Sequence, residues 1–316
     1  MATRKSVVMA ALVANGALAA LKFGGFLLTG SRAMLSETYH SLSDTGNQVF
    51  LLVGLWYGNK ARSRDHPFGY GKAQFFYSFL VAVLLFGIAG WESLQNGWAA
   101  LTGHGGHVLA GTLTLGGATV PAVWVNYAVL LGGIGFESWA WLKAHRAMRR
   151  EIAEREWSGL VEAFRKTADV TTLTALTEDT IAVVGLLLAL LGVWLTDLTG
   201  DPVYDAAAAL FIGVLLMGFA LALAWENKRL LLGESLPETE ERELRGVVGG
   251  WDGVAGVVDF RSVFFGPDDV LVTADVAFDP DLDTGEIDDR ISAIEDALRE
   301  SDDSVRKVYI EPEDPA

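Results

Sequence analysis

The sequence predicts an α-helical membrane protein: a six-transmembrane-helix bundle followed by a C-terminal α+β domain. Three observations predict it. The 316 residues are 51% apolar and only 20% charged, with a mean hydropathy of +0.31, which is too apolar for an ordinary soluble domain. Charge is unevenly placed: residues 1–226 hold 15 Lys and Arg against 16 Asp and Glu, whereas residues 227–316 hold 9 against 24, so nearly all of the net −16 lies in the last ninety residues. Apolar stretches long enough to cross ~30 Å of hydrocarbon recur along the first part alone. A strongly negative terminal domain repels phosphate, so no nucleic-acid partner is expected. The absence of cysteine excludes disulfides and thiolate metal sites.

The spans fall at about 6–29, 34–57, 74–101, 121–143, 171–196 and 203–225, within a transmembrane domain over residues 1–228. The first is too long for a signal peptide and lacks a small-residue cleavage pattern. Arg4 and Lys5 precede it; Lys60, Arg62, Arg64 and Lys72 lie between spans two and three; Lys143, Arg146, Arg149, Arg150, Arg155, Arg165 and Lys166 lie between four and five. The other three loops hold only Arg32, so the positive-inside rule puts both termini and the acidic domain in the cytoplasm. A prokaryotic plasma membrane is the expected location. Lys22 reads as a snorkelling side chain near the outer end of span one. Residues 143–168 are too polar for a span and rich in helix formers, which predicts an amphipathic cytoplasmic connection. The glycine-rich loop containing His104 and His107 reads as a flexible linker rather than a metal-collecting loop.

The acidic domain occupies 234–316. Glu238–Gly249 reads as a helix, Gly256–Phe265 and Val270–Phe278 as strands, Thr284–Glu300 as a capped amphipathic helix and Val305–Glu311 as a last strand. The order αββαβ suits a small sandwich. Its acid excess fits a salt-rich cytoplasm, in which repulsion between carboxylates is screened.

Ionisable residues inside a bilayer are expensive, so each one present has a reason. Glu37, His40 and Asp44 stack on one face of span two. His40 and Asp44, one turn apart, offer an imidazole nitrogen and a carboxylate, ligands suited to Zn²⁺ and neighbouring divalent ions. A His–Asp hydrogen bond locking two helices fits the pair equally well. Glu178-Asp179 in span five tips the balance: two adjacent acids need protons or a counter-ion, and no Lys or Arg is expected in the core of any span. A divalent ion held by His40, Asp44 and one or both of Glu178 and Asp179 supplies that charge, with protonation as the alternative occupied state, so metal release and proton uptake are linked. Asn47 reads as a supporting or packing group, Glu137 as cavity lining, and Asp205 as an acid at the start of span six, favoured by the helix dipole.

The run His66-Pro67-Phe68-Gly69-Tyr70-Gly71-Lys72-Ala73, following a span that carries His40-Ser41-Leu42-Ser43-Asp44, resembles the cation diffusion facilitator family of divalent-metal/proton antiporters. The resemblance covers nearly the whole chain. It implies a homodimer in membrane lipid that exports zinc or a related ion (manganese, iron, cobalt or cadmium) by alternating access, with protons as counter-ion, and a ferredoxin-like C-terminal domain that dimerises. It also implies a transport site of two side chains from span two and two from span five, His40 and Asp44 matching the first two. Glu178-Asp179 resembles a branch with adjacent Glu and Asp, since Ala175 stands where a ligand to pair with Asp179 usually lies. A second family site around the loop motif keeps only His66, with Tyr70 and Ser63 at the other two positions, so the loop is expected to be structural. No histidine follows His145, which removes His-based sites from the terminal domain. From another class, a non-transporting membrane sensor or scaffold would use the same cluster as a structural clamp.

Overall fold

The computed structural model describes residues 2–102, 112–115, 118–154, 158–159, 170–267 and 269–314. It divides into two compact units, Met1–Leu52 with Phe79–Ala224, and Val53–Ser78 with Trp225–Ala316.

The first unit is a bundle of helices. They are α1 (Ala2–Thr29), α2 (Arg32–Gly58), α3 (Lys72–Leu80) joined through a π-helical turn (Val81–Phe86) to α4 (Gly87–Leu101), α5 (Val123–Glu154), α6 (Val170–Thr199) and α7 (Val203–Leu232). Both α2 and the α3–α4 segment run on into the second unit. At 1.5 Å per residue, the 30 residues from Lys72 to Leu101 extend about 45 Å, more than a hydrocarbon core. Among the described residues three helices are long and apolar enough to cross a membrane: Lys72–Leu101, Leu176–Thr199 and Val203–Leu232. Helix α5 continues past the expected span end at 143 to Glu154, so the first part of the predicted connection extends that helix. Residues 155–157 and 160–169 of the connection, and the loop with His104 and His107, lie outside the described residues. Before α5 stands a short antiparallel hairpin, β1 (Thr112–Leu115) and β2 (Ala118–Pro121).

This bundle turns its polarity inward. Helix α2 buries Ser36, Glu37, Thr38, His40, Ser41, Ser43 and Asp44 while Leu42, Val49 and Leu51 are exposed. Helix α6 exposes Leu187, Leu191, Trp194 and Leu198, at helical spacing. Such an arrangement is unfavourable in water and natural in lipid, where the outer face needs only apolar groups. The apolar core is formed by Met34, Leu130, Leu186, Val193, Ile212, Leu216 and Phe219, with small residues between them.

Two local devices fix the helix positions. Glycines bring α4 and α7 into backbone contact: a Cβ at Gly97 would lie 2.7 Å from Leu210 N, one at Gly90 2.9 Å from Met217 N, and one at Gly213 2.7 Å from Leu94 N. At the α1–α2 turn, Gly30 takes φ of 70° and closes α1. Ser31 then caps α2, its Oγ accepting from Met34 N at 3.1 Å. The Asp205 carboxylate, in the first turn of α7, accepts from Ser31 Oγ at 2.6 Å, from Ala33 N at 3.4 Å and from Arg32 N. Asp205 thus begins α7 as expected, but its carboxylate serves the N-terminus of another helix.

In the second unit α8 (Glu238–Gly249) and α9 (Thr284–Ser301) accompany the three-stranded sheet β3 (Val254–Gly266), β4 (Asp269–Phe278) and β5 (Val305–Pro312), in the order β3-β4-β5. β3 and β4 are antiparallel. β4 and β5 are parallel, as the intervening α9 allows. Strand β4 alternates buried Val270, Val272, Ala274 and Val276 toward Leu244, Val248, Ile294 and Leu298 of the helices. A capping box starts α9: Glu286 N donates to Asp283 Oδ1, and Asp283 N to Glu286 Oε2, both at 2.9 Å. The loop before α3 belongs to this unit. His66 stacks on Tyr70 with ring centroids 4.2 Å apart, Phe68 packs on Phe265 at 4.9 Å, and Lys72 Nζ donates to Leu231 O at 3.4 Å.

Gly97→Ala is expected to lower the unfolding temperature of the detergent-solubilised protein, through overpacking worth about 1–3 kcal/mol. Gly132→Ala, whose Cβ would meet nothing within 4 Å, is expected to leave it unchanged. Equal melting of the two variants would contradict the backbone contact. Asp205→Ala is expected to cost about 1.5–3 kcal/mol, the range for hydrogen bonds to a charged group, and Asp205→Asn less, by the same thermal measurement.

Candidate metal centre

The polar face of α2 carries the candidate residues, and its neighbours are set by α1, α5 and α6. His40 and Asp44 lie one turn apart and both are buried; His40 Nε2 stands 3.4 Å from Asp44 Oδ2. From α6, the half-buried Glu178 lies beside Asp44 and Asn47. Asp179, the adjacent acid, lies near both Glu178 and Glu137 of α5, the latter buried. Helix α5 runs along α6 and is held there by Trp141 Nε1 donating to Thr180 Oγ1 at 2.9 Å. This bond sits beside Glu178 and Asp179 and fixes their end of α6.

His40 and Asp44 are paired on α2, and Glu178 and Asp179 stand on the neighbouring α6. Among the described residues no group of three His, Asp or Glu side chains is already gathered at the spacing a metal ion needs. That statement includes the surroundings of His66, whose ring is engaged by Tyr70.

One expectation is corrected. Lys22 does not snorkel: it is fully buried, and its Nζ donates to Glu37 Oε2 at 2.9 Å and to Ser41 Oγ at 2.8 Å. A cation does stand inside the helix bundle, held because two of its three N–H donors find strong acceptors at its own depth. Glu37 is correspondingly engaged by Lys22, although it shares the face of His40 and Asp44. Glu137, expected to be an interface-level polar or cavity-lining residue, is buried in α5 near this group. Among the described residues, Glu37, Asp44, Glu137, Glu178 and Asp179 share this part of the bundle with Lys22 and His40. So acidic a group in a low-dielectric interior holds protons or takes up a cation.

Helix glycines make room for this network. A Cβ at Gly185 of α6 would lie 2.5 Å from Glu37 Oε1, and one at Gly133 of α5 would lie 3.2 Å from Leu186 Cδ2 and 3.9 Å from Lys22 Cε. Asn126 Nδ2 donates to Thr29 Oγ1 at 2.8 Å, tying α5 to α1.

Comparison with known proteins agrees with the arrangement. The chain is 29% identical over 273 residues to the proton-coupled zinc antiporter SLC30A9, mitochondrial, of Mus musculus, which covers 86% of this chain and 46% of that protein. It is 27% identical over 272 residues to metal tolerance protein C4 of Arabidopsis thaliana, covering 86% and 56%. It is 27% identical over 265 residues to the cation-efflux pump FieF of Shigella flexneri, covering 81% and 78%. The chain spans about half the length of the first of these relatives. Residues 8–232, which include every helix that contributes to the acidic cluster, match the cation efflux transmembrane domain, and the chain belongs to that family.

Proposed function

We propose that this protein is a secondary active transporter that moves a divalent metal cation out of the cytoplasm in exchange for protons, by alternating access. Zinc is the first candidate, with manganese, iron, cobalt and cadmium as others. The observation that carries the proposal is the burial of His40 and Asp44 one turn apart, 3.4 Å from each other, on the face of α2 that Glu178 of α6 lies beside. In the metal-free state protons on the carboxyl groups supply the missing positive charge. A divalent ion entering between His40, Asp44 and Glu178, with Asp179 turning in as fourth ligand, replaces those protons, since each ligand binds metal only in its deprotonated form. Return of protons expels the ion. The carboxylate-rich ligand set selects zinc less strictly than a histidine-rich one. The relatives named as a proton-coupled zinc antiporter and a cation-efflux pump support both halves of the exchange.

Six membrane spans, with both termini and the acidic domain on the cytoplasmic side of a prokaryotic plasma membrane, are the topology we assign. The domain at 234–316, read as ferredoxin-like, is proposed to join two copies into a homodimer.

Purified protein in lipid vesicles, with a panel of divalent ions outside and fluorescent reporters of metal and pH inside, tests the exchange. Metal entry is expected to be accompanied by proton exit in the wild type and to fall to the level of protein-free vesicles in Asp44→Ala and Asp179→Ala. Asn47→Ala, which removes a partner of Glu178, is expected to weaken metal affinity by about tenfold or more while leaving transport measurable. Metal-independent pH change, or flux unaffected by Asp44→Ala, would overturn the proposal and leave the cluster a structural clamp.

A further inference from the structure

Lys22 and Glu37 form a buried ion pair that the exchange of metal for protons does not use. It rests against every helix of the candidate site. Lys22 comes from α1, Glu37 and Ser41 from α2, Gly133 of α5 lies beside the lysine stem, and Gly185 of α6 lies against Glu37 Oε1. Along α2 the pair is one turn from His40, and Ser41, which accepts from Lys22, directly follows it. We propose that the Lys22–Glu37 pair is a positioning element that sets the affinity of the His40, Asp44, Glu178 and Asp179 site for its cation, with Lys22 holding the metal-bound state weak enough to discharge. This rests on the reading of those four residues as the transport site.

The physical argument is one of sign. A fixed positive charge beside a divalent ion in a medium of low dielectric repels it, and a fixed negative charge attracts it, with little screening. Lys22 Nζ reaches past Glu37 to Ser41 Oγ at 2.8 Å, beside His40 and toward Asp44 along α2, while Glu37 Oε1 lies against Gly185 of α6. The pair is neutral overall yet presents its positive end to the ligands. A site with three carboxylates and no such cation would hold a divalent ion tightly and release it slowly. With Lys22 in place, affinity is traded for release. A brace that merely joined α1 to α2 would not care which of its two ends is charged.

Removing either charge separately distinguishes the two roles, because a tuner predicts effects of opposite sign. Zinc affinity is measured by calorimetry on the full-length protein in detergent, and zinc KM and maximal rate in vesicles. Lys22→Met is expected to lower Kd and KM at least threefold and to slow maximal transport. Glu37→Gln is expected to raise both constants at least threefold. The double variant Lys22→Met with Glu37→Gln is expected to return to within about threefold of the wild type, the cancellation expected of directly coupled sites. Both single variants moving Kd in one direction, or the double variant no better than the worse single one, would overturn the proposal in favour of a brace.

If a single variant does not fold, the exchanged pair Lys22→Glu with Glu37→Lys decides. It keeps an ion pair and reverses its direction, so KM and Kd are expected to fall; unchanged constants would sink the inference. Wild-type protein that carries zinc while these variants fail to split as described removes the role of the pair alone. Wild-type protein that neither binds nor carries zinc removes the transport proposal with it.

Discussion

A polar group enclosed among helices and shielded from water has to find its partner inside the protein, and that constraint organises the first unit. Helix α2 presents a buried run of serine, threonine, histidine and acid that no single neighbour satisfies. Lys22 from α1 answers Glu37 and Ser41, while Glu178 from α6 lies beside Asp44 and Asn47. At the helix start Asp205 from α7 answers Ser31 and the free amides of the first turn. Three different helices are held against α2 by what it cannot leave unpaired. The apolar core then fills the spaces between them.

Much of this architecture is legible in the sequence because the bilayer leaves few choices. Long apolar runs locate the helices, and ionisable residues inside them stand out against that background. His40, Asp44 and Glu178 are found in this manner, and the first two are buried 3.4 Å apart. What periodicity does not give is which helix faces which, and the misreading of Lys22 follows from that. Treated as one residue on one helix, a lysine near a span end reads as reaching for water. The signal for its real partner lay in the turn: Gly30 and Ser31 fold α1 back on α2, and Lys22 and Glu37 stand about two helical turns from that point on either side. Antiparallel neighbours joined by a tight turn share depth, so the two charges meet. Glu137 was harder to place because its role depends on the packing of α5 along α6, a contact with no local signature.

The second unit obeys simpler rules, and its elements lie close to where pattern alone puts them. The helix at Glu238–Gly249 has the expected ends, and the capping box of Asp283 and Glu286 starts α9 one residue after the cap. Alternation along β4 sorts buried valines from the outward side. On that outward side Asp259, Asp275 and Glu311 stand in register across the three strands, with Arg261 pairing to Asp259. Like charges directly opposite one another weaken a sheet, so the domain tolerates this row through partial neutralisation and hydration rather than through packing. The excess negative charge of the chain is thus largely a property of a solvated surface. The few acids of the first unit act one by one.

The backbone contact between α4 and α7 carries a consequence for motion. Where glycines let two main chains touch, neither helix can slide or roll without one backbone climbing over the other, so the pair behaves as a single rigid strut. Any rearrangement that opens the buried seam first on one side and then on the other has to pass through the helices packed on flexible side chains. In the proposed exchange the strut would be the fixed frame against which α2 and α6, which carry the candidate ligands, change their spacing. The π-helical turn at Val81–Phe86 lies just beyond one end of that frame, at the joint between α3 and α4, where an altered hydrogen-bond register lets one half of a helix turn while the other stays in place.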